Sequence, residues 1–168
     1  NLKLKKKFVK KIDVFIINQA LHHCANPAKL IKQMSVYLRK DGLILINEPE
    51  ISFSLKLLLF LLNDEAWSLN VNIFNYKKNI FNPKSIWDAN NATARLLFQD
   101  ENKFHLHFPE LIIKKNKLCE FLTFINSGGV VQKTFCIRIN KFFFKLIDKI
   151  DSILIFLFPA FFALGRYV

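Results

Sequence analysis

Glycine is scarce in this sequence, with Gly42, Gly128, Gly129 and Gly165 the only four in 168 residues. No stretch therefore has the Gly-x-Gly spacing that lets a backbone close on a cofactor's phosphate or ribose. Cysteine is scarce too. Cys24, Cys119 and Cys136 are odd in number and none lies in a CxxC pair, which argues against a disulfide framework and a zinc knuckle and predicts reduced thiols packing as small hydrophobes in a cytoplasmic setting. Arginine supplies only Arg39, Arg95, Arg138 and Arg166 of the 25 basic residues behind the net charge of +12. Lysine is a poor base reader, and no RNP-like, zinc-finger or helix-turn-helix pattern occurs, so the charge predicts no nucleic-acid partner. The joint excess of Lys, Asn, Ile and Phe reads instead as a compositional bias. A spanning run is missing as well: the uncharged stretch Ser152 to Gly165 is shorter than the ~20 residues a membrane helix needs, and Pro159 interrupts it. The opening "NLKLKKKFVKK" has no apolar core or cleavage site of a targeting peptide, and a chain starting at Asn1 is expected to be a fragment or a processed product. Asn91-Ala92-Thr93 matches a glycosylation sequon by chance.

What is present begins with Ile12 to Ile17, a β-branched and aromatic run without alternation, which predicts a strand buried on both faces. Asn26-Pro27 supplies an N-cap and a first-turn proline, and Leu30, Ile31, Met34 and Leu38 follow at helical spacing. Lys40-Asp41-Gly42 predicts the helix stop, with Gly42 in the left-handed conformation, and Leu43 to Ile46 predicts a second buried strand. Strand, helix and strand of these lengths form a βαβ unit with parallel strands. Ligands bind beyond the carboxyl ends of such strands. Asn18 to His23 and Asn47 to Glu50 should therefore share one rim.

Further along, Ser54 to Leu62 predicts a short apolar helix, and the Asn-rich stretch to Asn82 an irregular insertion or lid, so that residues about 50–84 form an insertion. Ser85 to Phe98 predicts a helix with Ile86, Ala89, Thr93, Leu96 and Leu97 on its apolar face. Leu111 to Ile113 and Leu118 to Phe124 predict two strands joined through "KKNK", and Ser127-Gly128-Gly129 a tight turn. From Phe142 to Gly165 the chain becomes an amphipathic, then wholly apolar helical segment. The expected organisation is an α/β unit over residues 1–140 and an apolar helical tail over 141–168, whose 142–165 segment suits peripheral contact with a membrane surface.

His22-His23-Cys24 invites a metal reading, but neighbouring ligands on a helix or strand do not face one ion and no second Cys/His pair has ligand spacing, so no metal is predicted. His105 and His107 would share a face of an extended segment, with no acidic partner in sequence. Glu48 and Glu50 fall on one side of an extended chain, either as base and hydroxyl anchors at the rim or as a strand end meeting water.

At "DVFIINQALHHCANPAKLIKQMSVYLRKDGLILINEPE" the sequence resembles the second half of a class I S-adenosylmethionine-dependent methyltransferase. In that family the fourth strand leads into a loop of the "LHH" type, then a helix opened by Asn/Asp-Pro, then "L(K/R)PGG" and the fifth strand. "SIWDANNATARLLF" through "FPELIIKKNKLCEFLTFINSGG" resembles the downstream part of a bacterial branch. Lys40-Asp41-Gly42 departs from the family's Pro-Gly-Gly. The resemblance implies a partial Rossmann-like sheet from the fourth strand onward, with a helical insertion and a C-terminal apolar helix, and S-adenosylmethionine as cofactor. It implies that Asn18, Gln19, Ala20 and Leu21 line the cofactor's methionine side. His22, His23 or Glu48 would take a proton from a hydroxyl acceptor, and each histidine equally suits a helix-capping or core-edge role. Asp88 and Asn90 would lie on the acceptor side, or cap the following helix. The expected acceptor is a small-molecule or lipid-linked envelope precursor, and the expected state of the chain alone is inactive, since the glycine-rich cofactor loop is absent. A non-catalytic membrane-surface or protein-interaction module is the alternative.

Overall fold

The computed structural model describes residues 6–63, 65–81, 88–127 and 136–168. The protein is α/β, with a four-stranded mixed sheet and, among the described residues, seven α-helices. The sheet order is β1-β2-β4-β3, where β1 is Ile12–Asn18, β2 is Leu38–Pro49, β3 is Lys117–Cys119 and β4 is Gly165–Tyr167. β1 and β2 are parallel, in register from Val14 opposite Leu43 to Asn18 opposite Asn47. α1 (Pro27–Tyr37) forms the crossover between them, and the Asn26 side chain accepts from the Lys29 amide at 3.0 Å, a cap worth about 1 kcal/mol. The predicted βαβ unit is thus present, as is the rim it implies.

Several expectations are corrected. β1 is not buried on both faces. Phe15 and Ile17 pack with Ile44 and Ile46 on the main core, whereas Val14, Ile16 and Leu43 on the other face are exposed, Ile16 by 74%. The cause is position: β1 is the edge of the sheet, and no described element covers that face. The helix ends at Tyr37, so Leu38 already belongs to β2. Asp41 rather than Gly42 takes the left-handed conformation, at φ 62°. Gly42 is needed for closeness, because a Cβ there would lie 2.8 Å from the Leu38 side chain and 3.0 Å from the Asp13 carbonyl.

α2 (Phe53–Leu62) matches the predicted apolar helix and is capped by Ser52. The stretch after it has no helix or strand over residues 65–81, as expected, yet it is no loose lid: Ile73 and Phe74 are buried in the main core, and the Ile80 amide donates to Ala25. α3 runs only Thr93–Phe98. Residues 88–92 are not helical, because the Asn90 side chain turns the chain there; residues 82–87 of the predicted helix lie outside the described residues. α4 (Glu101–His107) puts His105 and His107 on a helix, so that they share no face, and His107 stacks on Phe74 at 4.2 Å.

Leu111 to Ile113 is not a strand, and the second predicted strand shrinks to β3, after which α5 (Leu122–Ile125) begins. A buried carboxylate redirects the chain. Asp151 accepts from the amides of Phe121, Leu122 and Thr123, the open end of α5, where negative charge is favoured. Gly128 and Gly129 of the predicted turn lie outside the described residues. α6 (Lys141–Leu157) and α7 (Pro159–Phe162) divide at Pro159 as its missing amide requires. The chain then re-enters the sheet: β4 pairs antiparallel with both β2 and β3, an insertion that apolar content alone does not announce. Among the described residues no helix is long and apolar enough to cross a membrane.

Candidate functional site

The site is built on the carboxyl end of the parallel pair. β1 ends at Asn18, whose side-chain oxygen accepts from Asn47 at 3.0 Å. Gln19 takes a left-handed conformation at φ 50°, turning the chain out of the strand and into a 3₁₀ turn at Leu21–His23. Glu48, fully buried on β2, holds that turn: its carboxylate accepts from the amides of Ala20 (2.7 Å), Leu21 (2.6 Å) and His22 (3.1 Å). The same carboxylate lies 2.5 Å from Nδ1 of His22, which is 1% exposed.

On the far side of the His22 ring stands Glu65, from the irregular stretch after α2. Its carboxylate is 3.5 Å from His22 Nε2 and 3.3 Å from His23 Nε2, and the Asn91 side chain donates to it at 3.3 Å. The sequence reading did not find Glu65. Its one signal was an acidic pair, Asp64-Glu65, in an otherwise Asn-rich insertion. The two histidine rings lie 4.2 Å apart, tilted by 40°. Leu21–His23 is a single 3₁₀ turn rather than an α-helix or a strand, so the restriction on neighbouring histidines does not apply to it, and both imidazoles lie within 3.5 Å of Glu65.

Electrostatics follow from this packing. Burial alone would lower the pKa of His22, but the carboxylates of Glu48 and Glu65 outweigh it and raise the imidazole from 6.5 to about 9. Burial pushes Glu48 and Glu65 upward. The hydrogen bond and charge of His22 prevail and hold both below the usual carboxylate value. The result is a buried cation between two carboxylates, with His23 exposed on its solvent side.

The other predicted residues divide. Leu21 is fully buried in the core and, with Ala20, already gives its amide to Glu48; Asn18 is exposed and Gln19 half-buried at the rim. Asn90 is 4% exposed and committed to the backbone: it exchanges hydrogen bonds with Ser68 at 2.9 and 3.0 Å and accepts from the Ala92 amide. Asp88 is half-buried and not part of a helix. Glu50 is committed elsewhere, taking Arg95 Nε at 2.5 Å on one oxygen and Arg166 Nε at 2.6 Å on the other. The cysteines are free, and burial pushes the Cys119 thiol up to about 12.

A separate cavity of about 660 Å³ opens at the other end of β2, lined in part by Leu38, Arg39, Ile44, Phe104, Glu110 and Lys114. It includes none of the rim residues. The converging titratable groups, not the cavity, mark the chemistry here. No protein-family model matches the chain, and no curated protein matches it.

Proposed function

We propose that this chain is the carboxyl-terminal half of a class I S-adenosylmethionine-dependent methyltransferase domain, acting on a small-molecule or lipid-linked acceptor once the remainder of the sheet is supplied. The observation that carries the reading is the uncovered side of the parallel pair. Parallel strands are found with both faces covered and their edges protected. Among the described residues β1 is an open edge, and Val14 and Ile16 of β1 and Leu43 of β2 stand exposed on the uncovered face of the pair. Further strands and helices belong there. The antiparallel β4 beside the parallel pair is a combination doubly wound sheets commonly carry.

In this reading Asn18 to Leu21 form the wall beside the cofactor's methionine, and positioning of the acceptor supplies most of the acceleration. His22, held as a cation by Glu48 and Glu65, is an organiser of the rim. The proton of a hydroxyl acceptor then falls to the solvent-facing His23. The coding sequence upstream tests the reading: a strand followed by a Gly-x-Gly loop within roughly 100 residues is expected, and its absence contradicts it. Titration calorimetry of the chain alone should show no binding of S-adenosylmethionine. Micromolar binding would overturn the half-domain version.

A peripheral membrane contact is the second reading. It rests on an apolar surface that joins two parts of the chain: Phe142, Phe156 (85% exposed), Phe158 and Phe161 of the last helices lie open, as do Phe53, Phe60 and Leu61 of α2. Phe53 and Phe161 touch at 5.4 Å. Lipid-linked acceptors would suit such an anchor. Cutting the chain near Asn140 would remove β4, so the test is substitution. Wild type should float with anionic liposomes and a Phe156→Asp, Phe161→Asp double variant should not; equal flotation rejects the role of this surface.

A further inference from the structure

Three side chains at the rim, His22, His23 and Glu65, each bring one imidazole nitrogen or carboxylate oxygen within 4.8 Å of the others. Donor atoms about 2.0–2.2 Å from a tetrahedral ion lie roughly 3.4 Å apart. Glu65 reaches the two imidazoles through different oxygens, Oε2 3.5 Å from His22 Nε2 and Oε1 3.3 Å from His23 Nε2, each close to that value, so an ion here would sit against both oxygens of the carboxylate. A second observation is the state of the buried nitrogen. His22 Nε2 is buried and makes no hydrogen bond of its own, its nearest acceptor being the Glu65 carboxylate at 3.5 Å, and a buried nitrogen so weakly satisfied has room for a ligand. It faces the same carboxylate as His23 Nε2.

We propose that His22, His23 and Glu65 bind a divalent transition-metal ion of the zinc class, with Glu48 as the positioning residue. Two imidazoles and one carboxylate suit zinc and leave a fourth position open, and the exposure of His23 places that position toward solvent. Glu48 supplies what a metal-bound histidine needs behind it. By accepting from Nδ1 at 2.5 Å it fixes the tautomer whose Nε2 lone pair faces the ion. Three backbone amides hold Glu48 itself, so the second layer is as ordered as the first. The 3₁₀ turn is what allows adjacent histidines to share an ion. Binding would displace the proton that His22 carries in the metal-free protein and occupy the nitrogen that His23 offers as a base. The inference therefore competes with those two roles in the methyltransferase reading, and its test reads metal binding alone.

The experiment is titration of zinc and of cobalt into the chelator-treated full chain. One ion per chain should bind with micromolar or tighter affinity, and the cobalt form should show weak visible bands without thiolate charge transfer, which separates this site from Cys24, Cys119 and Cys136. His23→Ala, at an exposed position that leaves the core intact, should weaken binding at least tenfold, as should Glu65→Gln. Glu48→Gln should cost about 10- to 100-fold. His105→Ala should change nothing. Absence of binding, thiolate charge transfer, or affinity unchanged in both His23→Ala and Glu65→Gln in folded protein would overturn the proposal.

Discussion

Glu48, near the end of β2, and Glu50, just past it, are both fully buried, and they do opposite work. Glu50 is neutralised on each oxygen by an arginine, Arg95 from α3 and Arg166 from β4, and Arg166 reaches on to Asn116 at 2.7 Å. Two of the four arginines in the chain are spent on it. Arginine stays charged throughout the accessible pH range, so this knot is permanent and ties α3 and β4 to the end of β2. Glu48 faces a histidine instead. Its partner changes protonation within the reach of solution conditions and presents a second nitrogen to Glu65 and His23. The difference teaches where burial of charge is structural and where it is chemical: the counter-ion decides, not the carboxylate.

The largest effect should come from breaking the permanent knot. Glu50→Gln leaves the buried Arg166 and the partly buried Arg95 without their anion and is expected to destabilise the fold by about 3–5 kcal/mol, measured by urea unfolding. Glu48→Gln should cost less, about 2–3 kcal/mol, because the amide oxygen still accepts from the Ala20 and Leu21 amides while the bonds from the His22 amide and Nδ1 are lost. Glu65→Gln, at a buried carboxylate whose contacts with the two histidines are longer, 3.5 and 3.3 Å, should cost about 1 kcal/mol. If Glu48→Gln proves as damaging as Glu50→Gln, the distinction between the two carboxylates fails.

The same contrast sets the pH dependence of the metal-free protein. The pKa of His22 is raised in the fold, so its contribution is fully present below 6.5 and lost as pH rises through about 9. Glu48 and Glu65 are depressed, so theirs is present above 4.5 and lost as pH falls below it. Stability should therefore decline on the alkaline side between these His22 values. Glu48→Gln should flatten that decline.

How much of this was legible in the sequence depended on whether the cause was local. Asn26-Pro27 and the apolar spacing behind it foretold α1, and with two β-branched runs of the right length they foretold the parallel pair and its rim. Glu48 was placed correctly because a strand end fixes its neighbours. Long-range causes were not legible. The exposed face of β1 depends on what lies beside it, and the shortening of β3 on a carboxylate thirty residues downstream, at Asp151. The return of Gly165–Tyr167 into the sheet leaves no periodic trace in a three-residue strand. Glu65 was missed for the same reason, since nothing near it in sequence points to His22.

The claim on which the account turns is that His22 is a buried cation organised by Glu48 and Glu65. An NMR titration of the histidine ring resonances in metal-free protein tests it directly. His22 should titrate near pH 9 and move down in Glu48→Gln. A His22 midpoint at or below 6.5 in the wild-type protein would contradict it.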